Sequence, residues 1–423
     1  MNQQPYQTPP CWWSPRLSPR WVRFWRPFRR LRGFWLQGLS QVELLGGQHL
    51  QAAQAEGQGV LIAPNHPSHA DPFVMQEASD RLRVPFHFMA AWQVFAMTHW
   101  MGRTVLRQHG CFSVNREGHD MPAFRQAVRL LESDRPLVIF PEGEVLHLND
   151  RVMPFRRGAA TAALRAARRS GRPVACLPTA IKYHYSDDPR PRFTALVERL
   201  EQRLGLQTQH ERPLAQRIVR TTEALIEAKE VECFAVRQVG SNVERRERLI
   251  AAQLARLESR YGAAAPAATI SERVKRLRQL AIATLEESPS HPTREAAQRD
   301  LDELFAVMQL FSYPADYLAG NPSLERLAET LDKLEEDVLE VPTARPRGIR
   351  RTVIAFGEPV LAQPHGDRKQ AAIDLTDALE SRVQELLDSL TRRVAALPAQ
   401  GAAAPAAVST DAAVGWNAAP AAA

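Results

Sequence analysis

His66 and Asp71 stand five positions apart in Asn65-His66-Pro67-Ser68-His69-Ala70-Asp71, directly after the apolar run Val60-Leu61-Ile62-Ala63. An imidazole takes a proton from an alcohol only when the correct ring nitrogen is bare, and a carboxylate bonded to the other nitrogen fixes that tautomer. The pair reads as a general base with its orienting acid. A structural alternative is that Asp71 N-caps a helix, because Pro72 suits the first helical position and Phe73, Val74 and Met75 continue it. Both roles can hold together. The apolar run lacks polar alternation, as in strands buried on both faces of a parallel sheet. His66 is therefore expected at a strand's C-terminal end, where open α/β sheets bind ligands.

Three further blocks carry polar chemistry. Leu137-Val138-Ile139-Phe140 reads as a second buried strand, ending in Pro141-Glu142-Gly143, a turn whose glycine would let backbone amides face a ligand. Between the two strands, Gly110-Cys111-Phe112-Ser113-Val114-Asn115-Arg116 reads as a short strand with an arginine at its exit. The planar fork of arginine suits phosphate by donating two parallel hydrogen bonds. After the second strand, Pro154-Phe155-Arg156-Arg157-Gly158 opens an Ala-rich helix, and its two arginines are either phosphate or donor contacts or a solvated face. Of the other polar residues, Ser68 is expected to stabilise its own turn, His69 to lie at the surface or helix start, and Lys182 to be solvated.

These blocks resemble those of the glycerolipid acyltransferase family, whose prototype is bacterial 1-acylglycerol-3-phosphate acyltransferase. The family's Asn-His-x4-Asp falls on Asn65, His66 and Asp71, and its Gly-x-Phe-x3-Arg on Gly110, Phe112 and Arg116. Its Phe-Pro-Glu-Gly falls on Phe140 to Gly143, and an apolar strand with a central proline on Val174 to Ile181. The resemblance implies an α/β core with a central, mostly parallel sheet flanked by helices. It implies transfer of a fatty acyl group from acyl-CoA or acyl carrier protein to a glycerolipid hydroxyl, most simply 1-acylglycerol 3-phosphate, in phospholipid biosynthesis. His66 would be the base and Asp71 its orienter, with Arg116, Glu142 and Gly143 holding the acceptor phosphate and Arg156 and Arg157 adding contacts. Thioesters are good acyl donors, so deprotonating and positioning the alcohol suffices, the base supplying roughly 10²- to 10⁴-fold. No metal, bound cofactor or nucleophilic serine or cysteine is expected. One departure is Glu144-Val145 where the family usually has Thr or Ser and then often Arg. An inward acid there would repel a phosphate dianion, so another lyso- or hydroxylipid acceptor stays open.

The charge balance points to a surface. Residues 1 to 40 hold seven arginines and no acid; without them the remaining bases equal the 47 acids, so the whole net charge of +7 lies in this arm. The arm also holds five of the eight tryptophans, and from Ser18-Pro19 onward Trp21, Phe24, Trp25, Phe28, Leu31 and Trp35 recur at helical spacing, with a kink expected at Pro27. Aromatic and arginine faces on one helix match interfacial helices that lie in the headgroup layer; the alternative is packing on the protein's own sheet. Nucleic acid is not expected, since no other segment is basic. No apolar stretch is long enough for a transmembrane helix and no signal-peptide h-region occurs. The four scattered cysteines fit a reducing cytosol. The expected location is peripheral, on the cytoplasmic face of a membrane.

The resulting division is an arm at 1–40, an acyltransferase core at 41–199 and 347–395, a helical insertion at 200–346 and an Ala-rich disordered tail at 396–423. The insertion shows helical periods at about 213–235, 241–260, 270–286, 293–311 and 323–340, and no catalytic motif. Arg350 to Val360 reads as a last strand, followed by a helix whose face of Leu375, Leu379, Val383, Leu386 and Leu387 would cover the sheet. A catalytically weak membrane-binding scaffold built on the insertion is the rival from another class.

Overall fold

Runs of Val, Ile, Leu and Ala separated by Gly and Pro give eight strands in one sheet among the residues that this computed structural model describes, which are 10–118, 120–265, 268–287, 290–314, 316–363 and 366–396. The strands are β1 (Leu39–Leu45), β2 (Gly59–Pro64), β3 (His87–Ala91), β4 (Cys111–Val114), β5 (Leu137–Val138), β6 (Val174–Tyr185), β7 (Arg350–Phe356) and β8 (Val360–Ala362). Their order is β1-β7-β6-β2-β5-β3-β4, with β8 also on β6. β7 and β8 run antiparallel to β6, and the other pairs are parallel. All six residues of β2 are buried, and Ile62 lies opposite both Val138 and Leu177.

Before and among the strands lie α1 (Pro19–Gln37), α2 (Gly47–Ala55), α3 (Asp71–Leu82), α4 (Trp92–Ala96), α5 (Trp100–Gln108), α6 (Met121–Leu131) and α7 (Gly158–Ser170). Then follow α8 (Arg190–Arg203), α9 (Leu214–Phe234), α10 (Asn242–Tyr261), α11 (Ile270–Glu287), α12 (His291–Phe311), α13 (Leu324–Val338) and α14 (Arg368–Ala395). Alternate residues of a strand face opposite ways, so Leu61 and Ala63 pack with α6, α7 and α14 while Val60 and Ile62 pack with α2 and α3. α7 presents six buried alanines, small enough for close approach to the sheet. α14 covers the same face with Leu375, Leu379, Val383 and Leu387, with Leu386 partly buried beside them.

The insertion helices α9 to α13 begin and end within a few residues of the periods read from sequence. Ser241 and Glu244 form a reciprocal capping box at the start of α10. Buried bidentate pairs join α9 to its neighbours: Arg217 to Glu201 and Arg245 to Glu230.

Several expectations change. The strand expected over Leu137 to Phe140 is reduced to two ladder residues, after which Ile139 makes a single bond to the Ile62 carbonyl at 3.1 Å. The last strand is two strands, because Pro178 and Pro359 carry no N–H for the ladder. At that break Gly357 donates to the Pro178 carbonyl at 2.8 Å, and β8 then takes up the N-terminal part of β6. α1 holds Pro27 within its length, the position at which the kink is expected. Its arginines are not all unopposed: Arg26 and Arg29 pair with Asp80, and Arg30 with Glu77, both on α3. Lys182 is buried, not solvated, and pairs with Asp150, which also accepts from Arg326 of α13 at 2.7 Å.

The stretch before α1 runs along β4. Ser113 donates its backbone N–H to the Trp13 carbonyl at 3.0 Å, and Trp13 N–H reaches Ser113 Oγ at 2.8 Å. The Trp13 ring stacks on Phe95, centroids 5.3 Å apart. The Ala-rich tail lies outside the described residues from 397 onward.

Candidate active site

β2 ends in a turn that is stapled to β6 by one amide. Asn65 Nδ2 donates to the Ile181 carbonyl at 3.1 Å, and Asn65 Oδ1 accepts the Ile181 N–H at 2.7 Å. His66 follows at once, and its Nδ1 lies 2.6 Å from Asp71 Oδ2. The imidazole stacks on Phe140 with centroids 4.0 Å apart and planes 20° apart. With Nδ1 occupied and the ring plane fixed, Nε2 is the nitrogen left for the cavity that His66 lines.

Asp71 is fully buried at the first residue of α3. Its side chain caps no helix amide; Oδ2 accepts the Ser68 N–H at 3.0 Å and Oδ1 the Tyr183 hydroxyl at 2.5 Å. The carboxylate thus serves His66 and its own turn, while the start of α3 favours its negative charge. Burial, with Asp71 next to it, pushes the Tyr183 phenol well above its ordinary range, so Tyr183 remains a donor. Ser68 Oγ accepts the Ala70 N–H, stabilising the turn.

The cavity measures about 1460 Å³. His66, Arg116, Glu144 and Arg156 line it from the sheet side, and Lys275 and Arg278 from α11. Trp21, Trp25 and Phe28 of α1 and Trp100 of α5 line its apolar part. Arg116 Nη1 donates to the Gly143 carbonyl at 2.6 Å, and Arg278 pairs with Glu117 at 3.1 Å. Arg156 pairs with Glu144 at 3.3 Å. The Nε atoms of Arg116, Arg156 and Arg278 are all buried without a hydrogen-bond partner. Burial works to raise the Glu144 carboxyl, but these three guanidiniums outweigh it and hold it below the usual range. Glu144 lines the cavity with its side chain 23% exposed.

Glu142 and Gly143 both make contacts within the protein. The Glu142 carboxylate turns into the protein and accepts the His66 N–H at 3.1 Å. Burial, with Asp71 and Glu380 adding repulsion, pushes it well above the ordinary carboxyl range. The Gly143 N–H is spent on the Phe140 carbonyl at 3.1 Å, within a turn that needs φ of 82°. A Cβ there would stand 2.6 Å from Arg156 Nε, so the glycine makes room for that guanidinium. Arg157 is half-exposed and faces Glu272 of α11 at 3.6 Å, away from the lining. His69 is no surface residue: its Nε2 lies 3.2 Å from Glu336 Oε1, on α13.

Sequence reasoning missed Tyr183, which reads as one more apolar-run residue of β6. It missed Lys275 and Arg278 as well, since a cation on an amphipathic helix gives no sign of facing a cavity from another part of the chain. A comparison with curated proteins gives no match. The family model described as Acyltransferase matches residues 42–182, so this segment is an acyltransferase domain.

Proposed function

We propose that the protein moves a fatty acyl group from an acyl-CoA or acyl carrier protein thioester to the hydroxyl of a lysoglycerolipid, with 1-acylglycerol 3-phosphate as the preferred acceptor. The observation that carries this reading is the His66 Nδ1 to Asp71 Oδ2 bond at 2.6 Å on the wall of a large cavity. His66 Nε2 takes the acceptor's hydroxyl proton as the oxygen attacks the thioester carbonyl; the thiolate leaves and is protonated in turn. Asp71, itself held by the Tyr183 hydroxyl, orients the imidazole and stabilises the charge it acquires.

The cation cluster supports an anionic acceptor. Three guanidinium Nε donors without partners, joined by Lys275, suit phosphate oxygens. About 1460 Å³ exceeds the roughly 300–1,000 Å³ of ordinary small-molecule pockets, as a lipid with its acyl donor requires. The aromatic faces of α1 and α5 open beside the same cavity, with Trp35 70% and Trp100 73% exposed. They suit seating in a headgroup layer, while no helix among the described residues is long and apolar enough to cross a membrane.

Glu144 on the cavity wall favours a second reading, in which the acceptor is a neutral hydroxylipid. The purified protein, given labelled acyl-CoA or acyl carrier protein and a panel of phosphorylated and neutral acceptors, separates the two by lipid mass spectrometry. Formation of phosphatidic acid as the leading product supports the first; no acylated lipid from any acceptor would reject both.

A further inference from the structure

His69, on the turn between His66 and Asp71, meets His147, which follows the Glu142 turn, and Glu336, on α13. One ligand atom from each lies within 4.8 Å of the others. Each histidine Nε2 stands 3.2 Å from Glu336 Oε1, so the three form an ion-paired cluster. Those separations match another geometry. Zinc bonds of about 2.0–2.1 Å opened to the tetrahedral angle place two ligand atoms about 3.3–3.4 Å apart.

The surroundings fit a bound cation. Glu336 has a fully buried side chain and His147 a nearly buried one, which keeps the cluster out of bulk water. The two imidazoles cross at 73° with centroids 5.5 Å apart, so they do not stack on each other. His147 holds φ at 53°, a left-handed conformation uncommon for a non-glycine residue. The Ala344 N–H donates to Glu336 Oε1 at 3.0 Å, the kind of outer contact that orients a ligating carboxylate. Two imidazoles and a carboxylate form a borderline-hard donor set suited to zinc and not to calcium or magnesium, which take oxygen ligands.

We propose that His69, His147 and Glu336 form a three-ligand site for one divalent cation of the zinc type, with water in the fourth position. The cation would pin α13 to the turn that carries His66 and Asp71. It would act by positioning, since neither His66 nor Asp71 is among its ligands. The inference does not depend on acyl transfer.

The test uses the full-length protein, stripped with chelator and titrated with zinc and, separately, with cobalt. One equivalent of zinc should survive gel filtration, and zinc should raise the thermal midpoint by on the order of a few degrees. H147A and E336Q should each lower zinc affinity at least tenfold, and H210A, at an exposed histidine outside the cluster, should leave it unchanged. Cobalt should give the intense visible bands of tetrahedral nitrogen and oxygen ligation, without a thiolate charge-transfer band. Zinc below one equivalent, or binding by both variants equal to wild type, would overturn the site and leave an ion-paired node. If a variant does not fold, the wild-type cobalt spectrum decides: weak octahedral bands or a thiolate band reject the proposal.

Discussion

At the residue scale, catalysis depends on one nitrogen of His66, and two side chains prepare it. H66A should lower turnover by about 10²-fold or more while the thermal midpoint stays near wild type, measured by thiol release from acyl-CoA. D71N keeps the side-chain shape and should cost less. Y183F removes one hydrogen bond to a buried carboxylate, an interaction of about 1.5–3 kcal/mol in general, and should lower kcat roughly tenfold with KM little changed. An unchanged kcat would make Tyr183 a packing residue only. Arg116 carries a buried Nε without a partner. R116A should therefore weaken a phosphorylated acceptor tenfold or more and spare a neutral one, and equal losses on both would make it a structural arginine. The base and its orienter were legible because turn chemistry and short spacing bring them together locally. Glu142 was not, because sequence does not say whether a carboxylate turns toward a ligand or toward its neighbour's N–H. The His69, His147 and Glu336 group was invisible for a different reason: three elements far apart in the chain supply it, where no metal was expected.

At the element scale, α1 is joined to the core through His109. Its Nδ1 lies 2.7 Å from the Val105 carbonyl and its Nε2 2.7 Å from Arg29 Nη1, so the ring donates on one side and accepts from a cation on the other. Burial lowers this histidine from its ordinary 6.5 to about 4. A group held neutral in this way contributes stability that is complete above about pH 6.5 and is lost as pH falls toward 4. Acidification from pH 7 to 4.5 should lower the thermal midpoint, and H109Q should flatten that slope. An identical slope in the variant would assign the effect elsewhere, first to His87, which burial also lowers to about 4. The elements themselves were largely legible: period-3.6 runs located the insertion helices within a few residues. Ladder ends were not, because pairing at β5 and the β7–β8 break depends on partners distant in sequence.

At the scale of the whole molecule, the aromatic face of α1, the arginines and the cavity form one side. Replacing Trp21, Phe24, Phe28 and Trp35 by serine should reduce co-sedimentation with anionic vesicles several-fold, and should lower activity on bilayer substrate more than on detergent-dispersed substrate. Salt should weaken wild-type binding only in part, since screening leaves apolar insertion intact. Full retention of vesicle binding by the variant would move the docking face to another surface. These point changes are preferable to truncation because of the short bonded contact between Trp13 and Ser113. That contact covers the outer side of β4, the last strand of the sheet order. Removing the first 36 residues would free the Ser113 amide on this edge strand to pair with another chain. The shortened protein would then self-associate, and pelleting with vesicles could no longer be told from pelleting with itself.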